Sequence, residues 1–181
     1  MLDVLTNLLR SRVFWLVSLF LAITFSVYLL GHRWQPETQL RMKQSAVLVA
    51  IESGSHRKLT NLVSENYADG WGFQKPEVIS AFRELRAQFL VIGVQPGELQ
   101  LAIHEDEATV TTKISVTGSG PSPVAAVIMN EANRLNAPFV FTWKKEGSKP
   151  WSWKLTRVEN PDLPNLQGYQ PGRYESFLDN F

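Results

Sequence analysis

The chain has 181 residues, of which 44% are hydrophobic and 19% charged, and its formal net charge at pH 7 is +1. This length suits one domain with a sizeable core and short appendages, and the composition is that of a folded chain rather than a disordered one. Because the chain has no cysteine, disulfides, thiolate catalysis and cysteine-ligated metal sites are excluded.

An uncharged run near the N-terminus, VFWLVSLFLAITFSVYLL, extends from Val13 to Leu30. At about 1.5 Å per residue, a helix of this length covers roughly 27 Å, which is close to the thickness of the hydrocarbon core of a bilayer. We therefore predict a short tail at 1–12 and a transmembrane helix at 13–31 whose partner is the lipid bilayer. A cleavable signal peptide is the alternative, but its apolar region is usually shorter, and no small-x-small cleavage motif precedes the HRW that follows.

The orientation of this helix is not settled by charge, because arginines flank both of its ends. The short tail carries Arg10, Arg12 and the free amino group, and it resembles a cytoplasmic tail. This places the rest of the chain outside the cytoplasm, on the periplasmic side, as a single-pass membrane protein.

Three helices are predicted between the anchor and the first strand. After a linker at 32–37, Thr38 caps the first helix, and Gly54 stands where a left-handed residue is expected at its end. Ser55 then caps a short second helix, and Pro76 occupies a favourable position in the first turn of the third. The apolar residues of the third helix recur at helical spacing, and they are Val78, Phe82, Leu85 and Phe89.

The hydrophobic period changes from 3.6 to 2 in the second half of the chain, which predicts antiparallel strands. One hairpin joins 99–103 to 110–116 through the turn HEDEA, and a second joins 139–143 to 151–155 through the turn KEGSK. We expect three tryptophans on the paired strands of the second hairpin, namely Trp143, Trp151 and Trp153. Trp153 is the strongest candidate for the core.

Two further segments complete the chain. The stretch PSPVAAVIMNEANRLN follows a Gly/Ser/Pro break and predicts a short inserted helix or lid. The tail at 161–181 is rich in proline and glycine and is predicted to be extended. We interpret this tail as a docking strap for a partner protein, with folding back onto its own domain as the alternative. Its predicted partner-binding residues are Tyr169, Tyr174, Phe177 and Phe181.

Helices followed by long antiparallel strands are typical of an α+β domain in which a curved sheet wraps around a helix. The chain has two helices followed by the segments NYADGWGFQKPEVISAFRELR, PGELQLAIHEDEATVTTKISVTG and FVFTWKKEGSKPWSWKLTRVE. This succession resembles the nuclear transport factor 2-like superfamily, which includes SnoaL-like and ketosteroid-isomerase-like proteins. The resemblance covers 38–160 and implies a cone of three helices packed on a curved antiparallel sheet. Its conical cavity serves some members as an active site and others as a binding or assembly surface.

The loop NYADGWGF places Tyr67, Asp69 and Trp71 at the expected cavity entrance as ligand-binding residues. In a functional interpretation, Tyr67 donates a hydrogen bond and Asp69 is a general base, with Trp71 and Phe73 as an apolar wall that raises the pKa of the carboxyl group. In a structural interpretation, Asp69 closes a turn, the neighbouring glycines supply unusual backbone angles, and the rings seal the base of the cavity.

The structural interpretation is favoured by what the first helix lacks. The ketosteroid-isomerase-like pattern uses a tyrosine donor on that helix with an acid on the sheet, whereas residues 38–53 contain neither Tyr nor Asp. We therefore assign no catalytic residue, and the chain is predicted more as a non-enzyme than as an enzyme.

Other site chemistry receives little support. The three histidines, His32, His56 and His104, have no metal-ligand spacing, and the charged run from His104 to Glu107 at a hairpin tip is typical of solvated surface. No glycine-rich phosphate loop opens a helix after a strand. Residues 35–181 carry 15 Lys and Arg against 16 Asp and Glu, without the basic excess of nucleic-acid binders. We expect no metal, cofactor or nucleic acid.

Two classes of function remain. The first is a membrane-anchored, non-catalytic interaction or scaffold subunit that helps assemble or stabilise a larger membrane protein complex, with other subunits or a second copy of the chain as partners. The second is a tethered small-molecule-binding protein or SnoaL-like enzyme that uses the conical cavity. The first is preferred because it explains the anchor, the missing catalytic residues and the aromatic tail together.

Overall fold

The computed structural model describes residues 2–121 and 123–163. The described part contains five helices and six strands. The helices are α1 (Leu2–Arg33), α2 (Pro36–Glu52), α3 (His56–Leu62), α4 (Lys75–Ala87) and α5 (Pro123–Arg134), and the strands are β1 (Val91–Pro96), β2 (Gln100–His104), β3 (Glu107–Thr112), β4 (Ile114–Ser119), β5 (Phe139–Lys145) and β6 (Trp153–Glu159).

The N-terminal helix α1 is long, and its described apolar side chains are exposed. The span Phe14–Arg33 has the length and composition of a helix that crosses a membrane, and a signal sequence would share both properties. Only Trp34 and Gln35 separate α1 from α2. The amide of Gln39 in α2 donates a hydrogen bond to the carbonyl of Arg33 at 2.6 Å, so α2 satisfies one of the carbonyls that the end of α1 leaves free.

The start of α2 differs from the prediction. The helix begins at Pro36 with Gln35 at the N-cap position, so Thr38 lies inside the first turn and the predicted Thr38 cap is wrong. Proline at the start explains the shift, because its fixed φ is already helical and its missing N–H is not needed there. Gly54 has φ +65° beyond the end of α2, as predicted. Ser55 precedes α3 as predicted, but its side chain makes no capping hydrogen bond.

Helix α4 begins where Pro76 predicted a first turn. Gln74 stands at its N-cap, and the Gln74 N–H donates to Glu77 Oε2 at 3.1 Å as half of a capping box. Phe82 is buried on the inner face of the helix. Phe89 is also buried, but it lies after the end of α4 and packs in a second cluster with Leu48, Ile92 and Val94.

The strands form two antiparallel sheets rather than one continuous sheet. A four-stranded sheet has the order β2-β3-β5-β6, and a separate two-stranded sheet pairs β1 with β4. The predicted single strand over 110–116 is divided at Lys113, because β3 ends at Thr112 and β4 starts at Ile114 in the other sheet. The pairing strand β1 was not predicted, since Gly93 and Pro96 weaken its strand pattern.

The second hairpin confirms two of its three predicted tryptophans. Trp143 and Trp153 lie on the paired strands β5 and β6 and expose 0% and 1% of their surface. Trp151 does not lie on a strand and is 48% exposed, so its predicted place on the return strand is wrong. The turn is longer than KEGSK, because β6 begins only at Trp153; just before it, the Ser152 hydroxyl lies 2.7 Å from the carbonyl oxygens of Gly147 and Lys149.

The core lies between the helices and the inner face of the four-stranded sheet, and the predicted inserted helix packs against part of it. Its largest cluster joins residues of α2, α3 and α4 with residues of β3, β5 and β6. A smaller cluster joins α2 and β1 to α5 through Ala125, which is buried. The segment predicted as a short inserted helix is therefore helical and belongs to the packed domain.

Candidate functional site

A cavity of about 360 Å³ lies between the helices and the two sheets. Its lining side chains come from α2, α3, α4 and α5, from β1, β4, β5 and β6, and from the loop between α3 and α4. The β1-β4 pair and the four-stranded sheet both contribute lining residues to this cavity. Every major element of the domain except β2 and β3 contributes to it.

The wall of the cavity is apolar. Among the described lining residues, only Tyr67, Asp69 and the ring nitrogen of Trp71 bring polar side-chain atoms. The remaining lining side chains are aliphatic or phenylalanine, for example Val47 on α2 and Phe82 on α4. A space of this kind excludes charged and strongly hydrated molecules, because a polar group transferred into it loses water without gaining a partner.

The polar corner is built by the loop that the sequence singled out. The Tyr67 hydroxyl donates a hydrogen bond to Asp69 Oδ2 at 3.3 Å, and the two residues expose only 2% and 7% of their surface. The Tyr67 hydrogen thus has its partner within the same loop.

The other oxygen of Asp69 closes the loop. Asp69 Oδ1 accepts hydrogen bonds from the backbone N–H groups of Trp71 at 3.0 Å and Phe73 at 2.8 Å. The Asp69 N–H donates to the Phe73 carbonyl at 3.1 Å, and Gly72 takes φ +89°, which glycine adopts without strain. The carboxylate therefore acts as the centre of a turn, as the structural interpretation of the sequence supposed.

Burial perturbs both titratable groups of this corner. Burial raises the pKa of Tyr67 far above its ordinary range, and the neighbouring charge of Asp69 adds to the rise. Burial also raises the pKa of Asp69, although the N–H groups of Phe73 and Trp71 and the Tyr67 hydroxyl oppose the rise by binding the charged form. Tyr67 is consequently a neutral phenol at physiological pH and not a base.

Helix α5 is held against the rest of the domain by hydrogen bonds from side chains that do not line the cavity. The Asn133 amide binds the backbone of Val116 in β4 twice, accepting from its N–H and donating to its carbonyl at 2.8 Å each. Asp162 Oδ2 accepts the N–H groups of Asn136 and Ala137 at 2.7 Å each, just after the helix ends. The helix contributes Ile128 and Ala132 to the lining, so these hydrogen bonds stabilise one wall of the cavity.

Part of this site was predictable from the sequence, and part was not. Tyr67, Asp69 and Trp71 all lie in the cavity lining, with Tyr67 and Asp69 in the interior rather than at an exposed entrance. The contributions of α5 and of Leu163 were not predicted. The helical spacing of Val124, Ile128 and Ala132 was the available signal for α5, but it did not indicate which surface the helix covers.

The charged run predicted at the first hairpin lies outside the cavity lining. His104, Glu105, Asp106 and Glu107 are exposed at the hairpin between β2 and β3, where Glu107 pairs with Lys144 at 3.1 Å. No cluster of potential metal ligands occurs among the residues that the structure describes. The tail residues Tyr169, Tyr174, Phe177 and Phe181 lie outside the described residues.

No protein-family model matches this sequence, and no curated protein matches it. Solved structures do resemble the fold. The chain is 18% identical to a putative dehydratase of the NTF2-like family from Streptomyces avermitilis, with a TM-score of 0.52 over 68% of this chain and 93% of that one. It is 12% identical to LinA, with a TM-score of 0.52 over 67% of this chain and 82% of that one.

A third structure, Bd1075 from Bdellovibrio bacteriovorus, is 16% identical with a TM-score of 0.53 over 69% of this chain. The match spans only 40% of the length of Bd1075. Identities this low show the fold alone. The α+β architecture, with helices packed on antiparallel sheets as in NTF2-like proteins, is thereby confirmed, and the function of those proteins is not transferred with it.

Proposed function

We propose that the chain is a membrane-anchored binding protein whose cavity holds an apolar small molecule. The observation that carries this proposal is the cavity itself, about 360 Å³ in volume and lined almost wholly by apolar side chains. Small-molecule sites in proteins are typically clefts of 300–1,000 Å³ with predominantly hydrophobic walls. The second of the two functions that the sequence left open is thus the one that the geometry supports better.

Binding is favoured over catalysis by the state of the polar corner. The Tyr67 hydroxyl donates to Asp69 Oδ2, and Asp69 Oδ1 accepts from two backbone N–H groups. All of these bonds are internal to the loop, as is typical of a carboxylate that stabilises a turn. Tyr67 and Asp69 therefore stabilise the loop and close the cavity, and we propose no catalytic role for them.

The anchor is the second part of the proposal. Helix α1 is retained as a single transmembrane span, and the domain lies on the periplasmic side. The support is the apolar span Phe14–Arg33 together with the arginines of the short tail. Resistance to carbonate extraction tests retention. Because the chain has no cysteine, Lys113→Cys at an exposed position introduces a single reactive thiol. In whole cells, a maleimide that cannot cross the inner membrane labels this thiol only if the domain lies outside the cytoplasm.

A scaffold role is the second candidate, and one observation favours it. Trp34 at the α1–α2 junction and Met42 and Val49 on α2 are large apolar side chains that remain exposed. Met42 and Val49 are seven residues apart and so share one helix face. Co-purification from gently solubilised membranes tests this role. A specific partner that binds the wild type and is lost on Met42→Ser/Val49→Ser supports it, and unchanged recovery of all proteins contradicts it.

The binding proposal is tested with N-phenyl-1-naphthylamine, whose fluorescence rises in an apolar site. Ala132 lines the cavity whereas Ala126 is exposed on the same helix, so Ala132→Phe fills the space and Ala126→Phe is the matched control. We expect saturable binding by the wild type and the control, and its loss in Ala132→Phe. Equal binding by all three proteins would contradict the proposal.

A second pair of variants, on another helix, shows whether the result depends on filling the cavity or on a local change in α5. Ala81 on α4 lines the cavity, and Ala87 at the end of the same helix is exposed. Ala81→Phe is expected to weaken binding of the probe as Ala132→Phe does, while Ala87→Phe leaves it unchanged. Thermal unfolding of each variant separates filling of the cavity from loss of the fold.

A further inference from the structure

We infer that the molecule held by the cavity is a long hydrocarbon chain, such as the acyl chain of a membrane lipid or of a free fatty acid. This inference rests on the proposed function and names the chemical class of its ligand. It is drawn from three features: the internally bonded polar corner, the apolar wall, and the short connection between the cavity-bearing domain and α1.

The first feature is that the polar groups at the corner of the cavity are bonded to one another and to the backbone of their own loop. The Tyr67 hydroxyl donates to Asp69 Oδ2, and Asp69 Oδ1 accepts from the N–H groups of Trp71 and Phe73. Elsewhere in the described lining, the Trp71 ring nitrogen is the one polar side-chain atom, so a ligand with several polar groups would leave most of them unpaired. An unpaired polar group in such a space is unfavourable, so the part of the ligand inside the cavity is mainly hydrocarbon.

The second feature is the composition of the wall that the hydrocarbon would contact. Aliphatic side chains from opposite sides face the same space, including Ile51 from α2, Ile114 from β4 and Ile128 from α5. Such a wall provides dispersion contacts in all directions and no preferred orientation for a polar group. Each methylene group transferred from water into it makes binding more favourable, so the gain grows with chain length.

The third feature is the supply of ligand. Two residues, Trp34 and Gln35, separate α1 from α2, and a two-residue connection spans at most about 7 Å. The hydrogen bond from Gln39 to the Arg33 carbonyl further ties the start of α2 to the end of α1. If α1 crosses the bilayer, the cavity is tethered beside a reservoir of acyl chains at high effective concentration.

The test uses photolabelling of the full chain in liposomes of phosphatidylethanolamine and phosphatidylglycerol. One arm contains a phosphatidylethanolamine with a diazirine in the middle of an acyl chain, and the other contains a free fatty acid with the same group. After irradiation, labelled residues are mapped by peptide mass spectrometry. Both lipids label α1 wherever it meets the bilayer, so α1 serves as the internal reference.

The inference predicts labels on cavity-lining residues such as Phe82 and Phe139 in at least one arm, and the arm identifies the source of the chain. Ala132→Phe should reduce these labels by roughly tenfold or more, since its ring takes the space, while Ala126→Phe leaves them unchanged. Labels confined to α1 in both arms overturn the inference. If N-phenyl-1-naphthylamine still binds in that case, the proposed function stands without it, and if the probe does not bind either, both fail.

Discussion

Tyr67 and Asp69 are joined by a hydrogen bond of 3.3 Å inside an otherwise apolar cavity, although both belong to a loop rather than to a helix or strand. The bond brings two buried polar side chains together so that neither faces the cavity without a partner. The residue types of this loop are those of many active sites, whereas its hydrogen bonds are those of a stabilised turn.

Removing the Asp69 carboxylate should destabilise the domain. Asp69→Ala leaves the Trp71 and Phe73 N–H groups and the Tyr67 hydroxyl without their acceptor, and we expect a loss of about 1–3 kcal/mol in the free energy of unfolding. Chemical denaturation of the two proteins measures the difference. Asn keeps one acceptor oxygen, so Asp69→Asn should lose less. Equal stability of Asp69→Ala and the wild type would show that the turn does not depend on this side chain.

The raised pKa of Asp69 predicts a specific dependence of stability on pH. Below the unfolded pKa of about 3.9 the carboxyl group is protonated in both states. As pH rises above this value, the unfolded chain releases its proton before the folded chain does, so this residue makes stability fall until pH passes the folded pKa. Asp69→Asn cannot titrate. The free energy of unfolding of the wild type minus that of Asp69→Asn should therefore decrease with rising pH, and an increase would contradict the raised pKa.

The tryptophans of the second hairpin allow a comparison of burial within one protein. Trp153→Ala should lower the free energy of unfolding by about 3–5 kcal/mol, because a fully buried ring is replaced by a cavity. Trp151→Ala is the matched control, since the Trp151 side chain is about half exposed, with the Lys149 ammonium 5.8 Å from the centre of its ring. We expect its effect to be much smaller. Equal melting temperatures for the two variants would show that the inner face of β6 is assigned incorrectly.

Asp162 should control how firmly α5 covers the cavity. Asp162→Ala removes the acceptor of the Asn136 and Ala137 N–H groups, at an expected cost of about 1–2 kcal/mol. Hydrogen exchange at these two amides should become faster in the variant. Asp106→Ala removes an exposed acid at the distant hairpin tip and is the control. Unchanged exchange at both amides would mean that Asp162 does not hold this segment.

The sequence predicted the elements of the domain better than their connections. Periodicity identified α4, the buried Trp143 and Trp153, and the inserted helix, because each of these elements places its apolar residues on one face. It did not reveal that Thr112 and Ile114 belong to different sheets. Alternation of side chains continues through Lys113, and only the pairing partners, which are distant in sequence, separate the two strands.

The site shows the same limit. The residue types of the loop indicated where Tyr67, Asp69 and Trp71 would matter, and the adjacent glycines indicated a turn. The bonding of Asp69 Oδ1 to the Trp71 and Phe73 N–H groups agrees with that turn, whereas the local pattern did not show which elements would surround it. Leu163 lies in the cavity lining beside Asn160 and Asp162, which are hydrogen-bonded to the backbone at Ala137, and this contact between segments distant in sequence was not predictable from a local pattern.

The isoleucine methyl groups provide the most direct test of the cavity as a binding site. Four of the chain's seven isoleucines line the cavity and three do not. With the δ1 methyl groups labelled in the amphipol-solubilised full chain, we predict that N-phenyl-1-naphthylamine shifts the resonances of the lining set and leaves the others in place. Shifts at the other set alone, or at none, would contradict the account. The lining set is Ile51, Ile92, Ile114 and Ile128, and the reference set is Ile23, Ile79 and Ile103.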